Sequence, residues 1–78
     1  MKYFVAKCSM YSGRVEYQRC KCSELYCSEE YIRRYPDRVW QFSKQGAEKI
    51  CEARNRLGWH CVWYPVPVED ILGKEART

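Results

Sequence analysis

Long hydrophobic runs are missing from this sequence of 78 residues. No stretch approaches the ~20 consecutive apolar residues that a helix needs to cross a bilayer, which argues against a membrane span. The apolar part of the N-terminal segment is also too short for the core of a signal peptide, and charge returns at Lys7. We therefore expect a cytoplasmic protein without a membrane partner.

Histidine and glycine are scarce as well. His60 is the single histidine, so catalysis by a cysteine and a histidine has one candidate base. Its neighbour Cys61 would point to the opposite face of a strand, so these two side chains cannot act as a pair there. The four glycines are scattered along the chain and form no phosphate-binding loop. These absences predict a protein that is not an enzyme.

The six cysteines are the main potential metal ligands. A reducing cytoplasm keeps thiols free, which favours packing over a disulfide framework. Three of them follow the pattern Cys20-x-Cys22-x4-Cys27, which lacks the paired Cys-x-x-Cys spacing of a zinc knuckle. We expect reduced thiols that pack as small apolar side chains and no cofactor. Zinc held by Cys20, Cys22 and Cys27 is the alternative.

The length and the aromatic content indicate one domain. A chain of this size has room for one core, and three Trp, seven Tyr and two Phe residues would supply most of its packing. We expect a single domain over residues 1–68. The charged residues 69–78 are expected to form a frayed tail.

The first half of the chain predicts a hairpin and a short helix. Alternating segments over residues 2–11 and 14–22 flank a Ser-Gly pair that ends at Gly13, a pattern typical of a β-hairpin. Ser28 is then a suitable N-cap for a helix that must stop before Pro36. Acidic residues in the first turn and arginines in the last turn suit the dipole of this helix.

The clearest helix is predicted from Lys44 to Leu57. Ser43 precedes it as a capping residue and Gly58 follows it in the usual C-terminal position. A brief strand is expected before it, over residues 38–42. The residues that share the apolar stripe of this helix are Ala47, Ile50, Cys51 and Leu57.

The segment from Trp59 to Val68 predicts a last strand, with apolar residues on both faces and two prolines that suit a sheet edge. The element order ββαβαβ indicates an α+β fold, a small and mainly antiparallel sheet of three or four strands with two helices on one face. The uncovered face should then present Trp59 and Trp63, or the residues opposite them, to a partner or to a second copy in a homodimer.

A second candidate surface is the segment from Tyr31 to Trp40, where arginines alternate with aromatic residues. This composition suits phosphate contacts with base stacking, and it equally suits a protein interface. The net charge of +4 is mild and permits either partner. The candidate binding residues are Arg33, Arg34, Tyr35, Arg38, Trp40, Trp59 and Trp63.

No motif names a family. In its size, its lack of catalytic apparatus and its aromatic and basic surface, the chain is similar to the small accessory proteins of phages and mobile elements, among them anti-CRISPR proteins. This similarity favours a non-catalytic inhibitor of host defence, or an adaptor, that occupies a surface of a larger protein or ribonucleoprotein. The alternative is a small basic nucleic-acid-binding module, stabilised by zinc.

Overall fold

A computed structural model describes residues 1–21, 25–58 and 60–73. The elements in chain order are β1 (Lys2–Ser9), β2 (Val15–Gln18), β3 (Tyr26–Cys27), α1 (Glu29–Arg34), a 3-10 turn (Pro36–Arg38), β4 (Phe42–Ser43), α2 (Lys44–Asn55), β5 (Cys61–Pro67) and α3 (Val68–Leu72). The predicted α+β class is confirmed, and β3 and α3 are added to the predicted order. None of the helices in the described ranges is long and apolar enough to cross a membrane.

Strand β1 is the centre of a curled antiparallel sheet. It pairs along most of its length with β5, from Tyr3 opposite Pro67 to Ser9 opposite Cys61. On its other side, β4 pairs with its first residues and β2 with its second half. Strand β3 extends the sheet beyond β2. This central position explains why β1 is apolar on both faces.

The core consists of two clusters, one on each face of β1. Phe4 and Ala6 point to one face, where they pack with Ile32 of α1 and Ile71 of α3. Val5 points to the other face and packs against α2. The helices therefore lie on opposite faces of the sheet, whereas the sequence analysis placed both on one face. The reason is the consecutive apolar run in β1, where Phe4, Val5 and Ala6 are all fully buried.

Both predicted helix starts are confirmed by their caps. The Ser28 hydroxyl accepts a hydrogen bond from the Tyr31 amide at 3.1 Å, and the Ser43 hydroxyl accepts one from the Gly46 amide at 3.0 Å. Helix α2 ends at Asn55, two residues before the predicted end, and a turn follows. Leu57 is consequently 64% exposed, so its predicted place on the apolar stripe is wrong.

The segment before α2 differs from the prediction of a strand over residues 38–42. A 3-10 turn from Pro36 to Arg38 comes first, because proline favours the first position of such a turn. Strand β4 then contains only Phe42 and Ser43. The hairpin strands β1 and β2 are also shorter than predicted, and Gly13 takes a positive φ of 73° between them.

Strand β5 forms an edge whose outer groups are mostly blocked. The Trp63 amide points away from β1 and donates a hydrogen bond to the Asn55 side-chain oxygen at 2.9 Å. The same side chain donates to the Trp63 carbonyl at 2.9 Å. Pro65 and Pro67 follow at the alternate positions and have no N–H to offer. This arrangement protects the edge from pairing with another strand.

Helix α3 continues the packed part of the chain beyond residue 68. Val68 and Ile71 are buried in the cluster that contains α1. Residues 74–78 of the predicted tail lie outside the described residues, as do Cys22 and Trp59.

Candidate basic groove

A shallow groove lies where the end of β2 meets the segment that joins α1 to β4, and it encloses about 430 Å³. Four cationic side chains and one carboxylate line it, together with the ring of Trp40. The charged residues of this basic groove are Lys2, Arg19, Lys21, Arg38 and Asp37. The groove therefore concentrates a positive field that the mild net charge of the chain does not reveal.

The backbone holds Trp40 in place while its ring stays exposed. The Trp40 amide donates to the Arg19 carbonyl at 2.7 Å, which ties the segment to the end of β2. Val39 and Phe42 on either side are each 4% exposed and anchor the segment in the two core clusters. Trp40 itself is 49% exposed. Its ring is therefore an exposed apolar surface carried by an anchored backbone.

Three of the groove cations lie over aromatic rings. The Arg19 guanidinium is 4.6 Å from the Tyr31 ring centroid and donates to the Tyr31 hydroxyl at 2.8 Å. The guanidinium of Arg38 is 4.8 Å from the Tyr35 centroid. The Lys21 ammonium is 5.9 Å from the Trp40 centroid. These contacts hold the cations in position without neutralising them.

Carboxylates neutralise other cations instead. Across the described ranges, the ion pairs use Lys7, Arg33, Arg34 and Arg56, and none uses a groove cation. No ion pair within the described ranges therefore neutralises the four groove cations, and the Arg19 Nε is buried without a hydrogen-bond partner.

The predicted binding residues separate into two groups. Arg38 and Trp40 line the groove, and Tyr35 supports Arg38. Arg33 and Arg34 lie on α1 and pair with glutamates one turn earlier, at 3.0 Å and 3.7 Å. Such exposed pairs contribute little stability, but each places a negative charge beside its arginine. Arg33 and Arg34 consequently present less free charge than Arg38.

Trp63 belongs to the core. It is 7% exposed, packs under α2 and donates from Nε1 to the Tyr26 hydroxyl at 3.1 Å. The residues that β5 does expose are Val62 and Tyr64, on the opposite face. The predicted aromatic surface therefore excludes Trp63, while Val62 and Tyr64 belong to the opposite face that the sequence analysis named as the other possibility.

Lys2, Arg19 and Lys21 were missed by the sequence analysis. They come from two segments distant from residues 31–40, and only the sheet brings the three segments together. The available signal was the basic pair Arg19 and Lys21 immediately after a predicted strand. Without the pairing of the strands, that signal could not be connected to Trp40.

In the predicted alternative zinc site of Cys20, Cys22 and Cys27, the two cysteines that the structure describes do not share one environment. Cys20 is exposed at the groove, Cys27 is buried in β3, and Cys22 lies outside the described residues. Among the side chains that the structure describes, no group of three or more Cys, His, Asp or Glu residues could hold a metal ion. Burial raises the pKa of Cys27, and it raises the pKa of Cys51 to about 11, so both thiols are neutral at pH 7.

His60 lies beside an aromatic residue. Its Nδ1 is 3.0 Å from the hydroxyl of Tyr11, and the two rings are 5.1 Å apart between centroids. The backbone of His60 has a φ of 23°, in a region that few non-glycine residues occupy. The Met10 amide donates a hydrogen bond to the His60 carbonyl at 2.9 Å, which holds this conformation.

The side chains that line the groove are suited to contacts with an anion and a flat group. Its cations can neutralise an anion, and its exposed ring can stack on a flat group. Comparison with known proteins found no matching family model, no matching curated protein and no matching solved structure. A functional hypothesis therefore depends on the groove itself.

Proposed function

We propose that this chain is a small non-catalytic binding protein that uses the basic groove to occupy an anionic surface of a larger protein or ribonucleoprotein. The observation that carries the proposal is the convergence of four cations, against one carboxylate, from three separate segments of the chain. Solvation of the surface alone does not require cations from separate segments to lie close together. Charge complementarity of this kind steers a partner to the site and sets its orientation.

The groove is suited to binding because it is largely preorganised. Arg19 and Arg38 already rest on tyrosine rings, and Trp40 is held by its backbone. Side chains that are ordered before association lose less conformational entropy when the partner arrives. Arginine and tryptophan are also the residue types that contribute most at protein interfaces.

Catalysis is a weaker hypothesis for the same groove. Its described thiol nucleophile is that of Cys20, and the side chain of Cys20 has no hydrogen bond to a base within the described part of the chain. A thiol needs such a base, or a strongly lowered pKa, to act as a nucleophile. We therefore propose inhibition or adaptation by occupancy, the mode by which a phage or mobile-element protein would block a host-defence complex.

The test is affinity capture from cell lysate with matched charge reversals. The double variant Lys21→Glu with Arg38→Glu reverses two groove cations, and the control Lys44→Glu with Lys49→Glu reverses two exposed cations of α2. We expect the groove variant to lose the captured partner and the control to keep it, with both melting like the wild type. Equal capture by the two variants would contradict the proposal.

A further inference from the structure

We infer that the anionic surface taken by the basic groove is a single-stranded nucleic acid, with its phosphates held by the groove cations and one base stacked on Trp40. This inference rests on the proposed function, because it names the partner of the same groove. Proteins that bind single strands combine a positively charged groove with aromatic side chains on which bases stack. The basic groove has both components.

The exposed ring favours a nucleic acid over an acidic peptide that binds through its carboxylates alone. An acidic peptide would need only the cations, because carboxylates pair with Lys and Arg directly. Trp40 is nevertheless 49% exposed, although Val39 and Phe42 beside it are buried. Its backbone amide bonds to the Arg19 carbonyl, which holds the Trp40 backbone next to the cations. A nucleobase stacked on this ring would bring its own phosphates to Lys21 and Arg38, the cations at hand.

The local secondary structure favours a single strand over a duplex. In a duplex the base faces are stacked inside, and a protein reads sequence by placing a helix or a two-stranded ribbon in the major groove. No residue of α1 or α2 lines the basic groove, and the 3-10 turn that contributes Asp37 and Arg38 has only three residues. This turn is not a recognition helix of the usual kind. Only an unpaired base leaves its face free for Trp40.

The experiment is a fluorescence anisotropy titration with three labelled probes. These are a mixed-sequence RNA of about 12 nucleotides, the duplex made from it, and a poly-glutamate peptide of the same length. The RNA should bind most tightly. With about three phosphates neutralised, its association constant should fall about 20-fold between about 50 and 200 mM salt.

Variants separate the cations from the ring. Lys21→Gln with Arg38→Gln should weaken binding and flatten the salt dependence, because two phosphate contacts are lost. The control Arg33→Gln with Arg34→Gln removes the same charge from α1 and should leave the RNA affinity and its salt dependence nearly unchanged. Trp40→Ala should weaken binding about 5- to 150-fold at every salt concentration without changing the salt dependence. Trp40→Phe should restore part of the loss.

Two results would overturn the inference while the proposed function stands. One is poly-glutamate binding as tightly as RNA. The other is a failure of the RNA titration: either no RNA binding, or RNA affinity that equals the duplex affinity and does not change in Trp40→Ala. In that case capture from lysate would still depend on Lys21 and Arg38 and would resist nuclease. Capture that is independent of these two residues would instead refute the proposed function itself.

Discussion

Asn55 fastens the end of α2 to the edge of the sheet, and replacing it by alanine removes both hydrogen bonds to the Trp63 backbone. A typical intramolecular hydrogen bond contributes a net ~0.5–1.5 kcal/mol to the free energy of unfolding. Losing two would cost about 1–3 kcal/mol. Alanine returns roughly 0.5 kcal/mol because it favours the helix more than asparagine does. We expect Asn55→Ala to lower the free energy of unfolding by about 0.5–2.5 kcal/mol.

Urea denaturation measures this loss, and a thermal melt should show Tm falling by about 2–20 °C for a domain of this size. Lys49→Ala, at an exposed position of the same helix, is the matched control and should change the stability by less than about 0.5 kcal/mol. Hydrogen exchange at the Trp63 amide should also become faster in Asn55→Ala. Unchanged stability, with unchanged exchange at Trp63, would refute the idea that Asn55 caps this edge.

Ile50→Ala should destabilise the fold by about 2 kcal/mol, because Ile50 packs against the cluster under α2. Leu57→Ala should cost less than about 0.5 kcal/mol, because Leu57 is exposed. Equal losses of stability in urea denaturation would contradict this burial pattern of α2. Burial raises the pKa of Cys51 to about 11 in the folded state, so the thiol ionises more readily in the unfolded chain. The stability that the buried neutral thiol contributes is therefore lost as the pH rises. Wild-type stability should therefore fall by about 2 kcal/mol more than that of Cys51→Ala between about pH 8 and pH 11, and parallel pH profiles would argue against this. Asp37→Asn should tighten RNA binding a few-fold by removing the groove's only described carboxylate, and weaker binding would show that Asp37 contacts the ligand favourably.

The local features of the fold were predictable from the sequence. Ser28 and Ser43 each bond to the amide three residues later, so the information for both helix starts lies within one turn. The end of α2 was predicted two residues too late, because Gly58, with its positive φ, lies two residues after the C-cap Arg56 and not directly after the helix. Element boundaries of this kind depend on packing that the local sequence does not record.

The arrangement of the helices was harder to predict because it depends on the order of the strands. The consecutive burial of Phe4, Val5 and Ala6 indicates a central strand with helices on both faces, and the short apolar run alone did not reveal it. Trp63 likewise belongs to the core because α2 covers its face of β5. A prediction based on two helices on one face could not place it there.

The candidate site was predictable only in part, for the same reason. Arg38 and Trp40 are close in the sequence and were found together, while Lys2, Arg19 and Lys21 reach the groove through the sheet. In the sequence, Arg33 and Arg34 were candidate binding residues on the same grounds as Arg38. The ion pairs along α1 distinguish them, since Glu29 and Glu30 lie one turn before them.

The location of the bound anion is the most direct test of the central claim. We propose recording the ¹⁵N-labelled chain by NMR, including arginine and tryptophan side-chain signals, during titration with the single-stranded RNA. Binding in the basic groove predicts that the largest shifts occur at Arg19, Lys21, Arg38 and the Trp40 indole. The signals of Glu48 and Arg56, in the crevice between α2 and β5, should stay in place. Shifts concentrated in that crevice, or none at Trp40, would contradict the account.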